Sequence, residues 1–280
     1  CPIICDVELL YKCYPNNNYI GITGTNGKST TTALLGHIFD NAKLDYDMGG
    51  NLGNKAALDL TKFQNDAYYI IEMSSYMIDL IYDTKFKTAI LTNITPDHID
   101  RHGSFDNYIE VKKKIFMNMN SGCYAIICID NENSKRVYEE LKKDITFKGN
   151  LLPVSVKKIL KDGISFIDGE IFDYYDGNNK TIVVGDLKYL KGEHNAENII
   201  CAFACAKING IPENDVIEYI KSFKGLAHRM QFVKTVGNIT FINDSKATNA
   251  ESTEQALKAN NDIYWILGGR QKEGGIKSLS

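Results

Sequence analysis

Residues 19–42 read YIGITGTNGKSTTTALLGHIFDNA, and this stretch decides the fold. Tyr19 to Thr23 is an apolar, β-branched run of the length of a buried strand. A glycine-rich turn follows, Gly24-Thr25-Asn26-Gly27, and then a helical segment opening on Lys28-Ser29-Thr30. Strand, glycine-rich turn and helix form the context a phosphate-binding loop requires. The glycines let backbone N–H groups turn toward phosphate oxygens, and the helix N-terminus adds its positive dipole end. Lys28 would bring a point charge to the β- and γ-phosphates, and Ser29 a hydroxyl to Mg2+. The general pattern GxxxxGK[ST] places a glycine at position 22, where this chain has Ile22, so the loop is a variant. The plain alternative is a glycine-rich turn that only starts a helix.

Outward from this stretch, strand and helix signals alternate. AYYIIE (67–72), TAILTNI (88–94) and YAIICID (124–130) are further buried-strand candidates, and SFDNYIEVKKKIFMNM (104–119) reads as a helix. Continuous apolar strands between helices predict a parallel sheet covered on both faces. Residues 145–190 break the rhythm. GISFID, EIFDYYD and TIVVG sit between Asp-Gly and Gly-Asn turns and predict antiparallel hairpins added to the sheet edge. Helix returns at EHNAENIICAFACAKING, with Gly210 and Pro212 as stop signals. After KGLAHRM a β-β-α-β pattern begins: MQFVKTV, NITFIND, ATNAESTEQALKAN, DIYWILGG. A domain boundary is expected near 226. The fold class is therefore α/β: a P-loop-type, mostly parallel sheet with a small antiparallel addition, followed by the start of a Rossmann-like α/β domain.

Composition agrees. A chain of 280 residues is long enough for about two domains. Its net charge of −3 offers no electrostatic footprint for nucleic acid or an anionic membrane. No run reaches the ~18 apolar residues of a membrane span. The opening CPIICDVELL has no basic segment before a long apolar core, so no secretory leader is expected. The seven cysteines include no CxxC pair, and Cys201 and Cys205 read as small buried hydrophobes of a protein of the reducing cytosol.

Other residues carry chemistry at strand ends. Glu72 ends a strand, and a carboxylate beside a phosphate loop suits Mg2+. Asp97-His98 follows TAILTNI, at the carboxyl end where open α/β sheets bind ligands. Lys112-Lys113-Lys114 would ordinarily be a solvated helix face. Gly49-Gly50-Asn51-Leu52-Gly53 reads equally as a loop, and in Asp244-Ser245-Lys246-Ala247-Thr248-Asn249 helix capping explains Asp244 or Thr248 as well as catalysis does.

The ordered strings TGTNGKST, GGNLG, EMSSYMI, TNITPDHIDRHGSFDNYIEVKKKIF, GEHNAEN, HRM, NDSKATN and LGG resemble the Mur ligases of bacterial peptidoglycan synthesis, over essentially the whole chain. The short phosphate loop with Ile22 fits that family, and DSKATN resembles its D-glutamate-adding branch. The resemblance implies a cytoplasmic, monomeric ligase using ATP and Mg2+, with UDP-N-acetylmuramoyl-L-alanine and D-glutamate as substrates. It implies that Gly24, Thr25, Asn26, Gly27, Lys28, Ser29 and Thr30 hold ATP phosphates. Ser29, Glu72, His98 and Lys112, the last as a carbamate, would bind Mg2+; Lys28, His98 and Lys112 would be catalytic. Asn195 and Asn198 would contact adenine, Arg229 and Asp244 the nucleotide, Asn51 the acceptor, and Lys246, Thr248 and Lys272 D-glutamate.

On the family's three-domain pattern, residues 1–18 are expected to be the tail of a UDP-binding domain, 19–226 the central ATP-binding domain and 227–280 part of a C-terminal ligase domain. Read as a fragment, the chain is expected to bind nucleotide weakly and to ligate nothing alone. Three alternatives stand beside this reading: another Mur-type or folylpolyglutamate-type amide ligase, a P-loop switch or motor, and a non-catalytic remnant.

Overall fold

A computed structural model describes residues 2–269 and Leu279, apart from Gly53, Asn54, Thr61, Phe63, Asn178, Asp186, Lys188, Lys191 and Asn249. Helix α1 (Asp6–Cys13) leads into β1 (Asn18–Thr23) and α2 (Lys28–Asn41). Then come β2 (Tyr46–Gly50), β3 (Tyr68–Glu72), the single turn α3 (Ser75–Ile78) and β4 (Thr88–Leu91). The turn α4 (Ile99–His102) and α5 (Phe105–Lys113) precede β5 (Tyr124–Cys128), α6 (Glu132–Lys143) and β6 (Asn150–Ser155). The short strands β7 (Ile164–Ile167), β8 (Glu170–Asp173) and β9 (Lys180–Val183) precede α7 (Glu193–Ile208) and α8 (Glu213–Ser222). A hairpin of β10 (Gln231–Val236) and β11 (Ile239–Asn243) is followed by α9 (Ala250–Lys258).

Nine strands form one sheet in the order β2-β3-β1-β4-β5-β6-β7-β8-β9. It is parallel through β7, and β7-β8-β9 pair antiparallel, the edge addition predicted from the hairpin signals. Strand β1, third in that order, pairs with β3 on one side and β4 on the other, so the direction of growth switches there. Successive strand residues point to opposite faces. Ile20, Ile70 and Ile126 accordingly pack under α2 and α7, while Tyr19, Tyr69 and Ile127 pack on the face covered by α1 and α5. Helix α7 is buried continuously from Asn198 to Ala206, which accounts for its all-round apolar sequence. The sulfur-bearing residues Cys123, Cys128, Cys201 and Cys205 are buried, as small hydrophobes would be.

Three details depart from the sequence reading. Residues 46–50 form a strand, although Gly49 and Gly50 read equally as part of a loop. Glycine is required at position 50, where φ is +91° and a Cβ would lie 2.6 Å from the Glu72 carbonyl oxygen. Residues 150–155 join the parallel core rather than the antiparallel addition. The expected strand DIYWILGG is not seen: residues 262–269 have no ladder partner among the described residues, and Tyr264 and Ile266 are almost fully exposed.

Helix α1 is fastened to the sheet layer by a buried acid. Glu8 is fully buried and accepts hydrogen bonds from the Tyr82, Asp83 and Thr84 amides at 2.9–3.0 Å and from Thr84 Oγ1 at 2.6 Å. Burial alone would raise its pKa; the Thr84 hydroxyl and the three amides outweigh that and hold it down at about 2. A depressed carboxylate stabilises above its unfolded pKa and loses that contribution as pH falls through the folded one. Glu8→Ala is expected to lower stability by ~3 kcal/mol, since three amides and a hydroxyl lose a charged acceptor. The difference from the parent chain in thermal unfolding should be full at neutral pH and shrink between about pH 4.5 and about pH 2.

Candidate functional site

The carboxyl ends of β1, β3 and β4 converge where the sheet switches direction, the place an open α/β sheet receives ligand. Gly27 caps α2 with φ +86°, in the left-handed region, so that the loop can turn into the helix. A Cβ there would lie 2.3 Å from Asn198 Oδ1, so α7 is seated directly on the loop. The loop backbone is held from β4: Asn93 Oδ1 accepts from the Asn26 amide at 2.9 Å, Asn93 Nδ2 donates to the Asn26 carbonyl at 3.3 Å, and Thr92 Oγ1 donates to the same carbonyl at 2.7 Å. Thr25 Oγ1 lies 3.2 Å from the Tyr108 hydroxyl.

Two lysines meet at one carbonyl of this loop. Lys28 Nζ donates to the carbonyls of Gly24 at 2.9 Å and Thr25 at 2.8 Å. Lys112 Nζ donates to the same Gly24 carbonyl at 2.8 Å and to Thr23 Oγ1 at 3.2 Å, and sits 4.9 Å from the Tyr108 ring centroid. Lys112 is 1% exposed. Burial first, and then the positive charge of Lys28, push its pKa well below the usual lysine range, against the pull of Asp97 and Glu72. Burial likewise lowers Lys28, against Glu72 and Asp97. The neighbouring lysines differ: Lys113 pairs with Glu110 and Glu140, and Lys114 with Asp79. The solvated-face reading of the lysine triplet thus holds for its last two members and fails for its first.

Glu72 ends β3 and is buried. Its Oε1 accepts from Asn51 Nδ2 at 2.8 Å, while Oε2 has no partner among the described residues. His98 is half exposed, with Nε2 3.5 Å from Asp97 Oδ2 and its ring against Tyr76. Among the described residues no three His, Cys, Asp or Glu side chains are grouped to hold a metal by themselves.

Beside the loop lies a cavity of about 540 Å3, walled by Asn26, Gly27 and Thr30, by Asn195 and Asn198 of α7, and by Arg229 and Asp244. Asn198 Oδ1 accepts from Thr31 Oγ1 at 3.1 Å and its Nδ2 faces Asn195 Oδ1 at 3.4 Å, so both amides are fixed at the cavity wall. Arg229 Nη2 donates to Ser29 Oγ at 2.9 Å, and Asp244 Oδ1 accepts from the Met230 amide at 3.0 Å. Lys246 and Thr248 are exposed on the turn after Asp244, and Lys272 lies outside the described residues. Of the residues singled out in the sequence, one group therefore gathers at the loop (Lys28, Glu72, Asn51, Lys112) and another around the cavity, with His98 beside the first. Sequence reasoning missed Asn93, Tyr108 and Glu197. Asn93 carries a signal, a polar residue near the end of the apolar run TAILTNI; Tyr108 carries none in the helical segment 104–119.

A parallel sheet with a glycine-rich loop at its switch point, a lysine on that loop and a polar cavity beside it define a domain of the P-loop type. The Mur ligase middle domain matches residues 22–206. Two curated proteins named UDP-N-acetylmuramoylalanine--D-glutamate ligase, from Rickettsia prowazekii and Paramagnetospirillum magneticum, are 46% and 41% identical over 99% of this chain. The chain spans about 60% of their length. Among solved structures, a UDP-N-acetylmuramoyl-L-alanyl-D-glutamate--2,6-diaminopimelate ligase superposes over 90% of this chain and 56% of its own, with TM-score 0.68 and 18% identity. A MurF ligase from Thermotoga maritima in complex with ADP gives TM-score 0.65 at 17% identity, over 90% of this chain and 58% of its own. The chain belongs to the Mur ligase family.

Proposed function

We propose that this chain is the nucleotide-binding and phosphoryl-transfer part of an ATP-dependent ligase that joins D-glutamate to UDP-N-acetylmuramoyl-L-alanine. The observation that carries this reading is the continuity of loop and cavity: Asn26, Gly27 and Thr30 belong to both, with Lys28 and Lys112 converging at the loop. A base held between Asn195 and Asn198 would leave its phosphates at the loop amides and the α2 N-terminus. The alanyl carboxylate oxygen would attack the γ-phosphorus and ADP would leave. The D-glutamate amine would then attack the acyl phosphate carbonyl, expelling phosphate and losing a proton. Phosphoryl transfer asks the protein mainly for positioning and charge neutralisation, which suits a cationic, glycine-rich site.

The unpartnered buried Oε2 of Glu72 is an acceptor suited to a hard cation, so the residues fit Mg2+. Glu72 and Ser29, with His98 and a carbamylated Lys112, would hold that ion, which would supply charge neutralisation on the phosphate oxygens. Residues 227–280 are read as part of the C-terminal ligase domain and residues 1–18 as the exit of a UDP-binding domain. The protein is read as a cytoplasmic monomer; no helix among the described residues is long and apolar enough to cross a membrane.

Lys246 in DSKATN offers a cation to a dicarboxylate and would repel a cationic amino acid. A gene product containing this chain, given ATP and UDP-N-acetylmuramoyl-L-alanine, is expected to release phosphate with D-glutamate and not with L-lysine or D-alanyl-D-alanine. Faster turnover with L-lysine would move the chain to another branch of the family.

A further inference from the structure

Glu197 lies on α7 between the two asparagines of the cavity wall and is itself part of that wall. Its Oε2 accepts from Asn93 Nδ2 at 3.2 Å. The same Asn93 amide brackets Asn26 of the phosphate loop, accepting from its N–H and donating to its C=O. A carboxamide can sit in either of two orientations, exchanging oxygen and nitrogen. Only one of them presents Oδ1 to the Asn26 amide, and an acceptor at Glu197 favours that one by engaging Nδ2. The acid thus reaches the loop through one side chain.

Two of the charged groups that act on it are acids. Asp130 follows β5 and Glu193 stands in the first turn of α7; Lys157, after β6, is the facing cation and is shared with Glu193 at 3.2 Å. We propose that Glu197 is a positioning residue of the nucleotide site, which orients the Asn93 amide toward the phosphate loop and takes up a proton as nucleotide binds. Burial first, and then Asp130 and Glu193, outweigh Asn93 and Lys157 and raise its pKa to about 7. Polyphosphate brought to the neighbouring loop adds negative charge and favours the protonated form further. Protonated or not, one carboxyl oxygen still accepts from Asn93, so orientation survives while repulsion of the ligand is removed.

The inference rests on the nucleotide reading of the cavity, and the test separates the two. ADP affinity of the full chain is measured by calorimetry from about pH 6 to about pH 8.5 for the parent, E197Q and E197L. E197Q keeps an acceptor for Asn93 and cannot ionise; E197L loses both properties. Parent affinity should fall roughly three- to tenfold more steeply with rising pH than that of E197Q, because titration of the nucleotide itself is common to both. E197L should bind roughly tenfold more weakly than E197Q at every pH, since both lack the charge and only one keeps the hydrogen bond. An E197Q profile as steep as the parent's overturns the proton uptake. E197L binding as tightly as E197Q overturns the positioning role. Failure of the parent to bind ADP at any pH sinks the nucleotide reading, and this inference with it.

Discussion

Replacing Lys112 with alanine is expected to remove most ligation activity from a gene product containing this chain, by about a hundredfold or more, while Lys113→Ala and Lys114→Ala leave it within about twofold. The three residues are adjacent, yet helix geometry turns each about 100° from the last. Lys112 alone is carried under the phosphate loop, while its neighbours reach Glu110, Glu140 and Asp79. A buried ammonium with no ion-pair partner among the described residues is costly. Burial and Lys28 favour its neutral amine, the form that reacts with carbon dioxide. In that reaction the Nζ lone pair forms a bond to the carbon of CO2, one C=O π bond opens onto oxygen and one proton is lost from nitrogen, converting the neutral amine into an anion beside Glu72 and the loop. The product could orient or bind a metal ion where the ammonium would repel one. A small carboxylate such as formate, added to Lys112→Ala, should restore part of the activity, because the anion and not the aliphatic stem is what is missing. Thermal unfolding separates this from simple destabilisation: the variant should stay folded at the assay temperature. Equal activity in all three alanine variants would remove Lys112 from the site.

Lys28→Ala should lower kcat by more than about a hundredfold, corresponding to ~3 kcal/mol of lost transition-state stabilisation. Its Nζ rests on the carbonyls of Gly24 and Thr25, a position from which phosphate oxygens can draw it. These two bonds close within the loop and hold nothing distant, so the variant should unfold at a temperature close to the parent's. Near-normal turnover by a folded Lys28→Ala protein would exclude the lysine from phosphoryl transfer.

What could be read in the sequence was what the local chain enforces. The run at β1 ends in glycines and a lysine, and both the loop and α2 follow from that order. Strand β2 was hidden because YDMGG has weak strand propensity and gains its place only through β3. Strand β6 was hidden behind Pro153, which a parallel strand tolerates here because β7 joins only from Val154 onward. The burial of Lys112 was masked by two further lysines, since a triplet of like charges reads as one solvated surface. Glu197 and Asn93 matter through each other, and a pair separated by 104 positions leaves no local pattern.

The strand order also has a meaning in time. Of the nine strands of this sheet, β1 comes first in the chain and lies third from one edge, so an interior strand of the sheet is made before either of its flanks. β2 is made next but has only β3 to pair with, so it stays without a ladder partner until β3 has been made. From β4 onward the order of manufacture and the order of position coincide, each new strand adding to the edge left by the last. Assembly on that side is a run of neighbouring steps, whereas the β2 flank depends on one delayed capture. An unpaired strand edge is open to aggregation, and for β2 that exposure lasts until residue 72 has been added, on the side that carries Asn51 and Glu72.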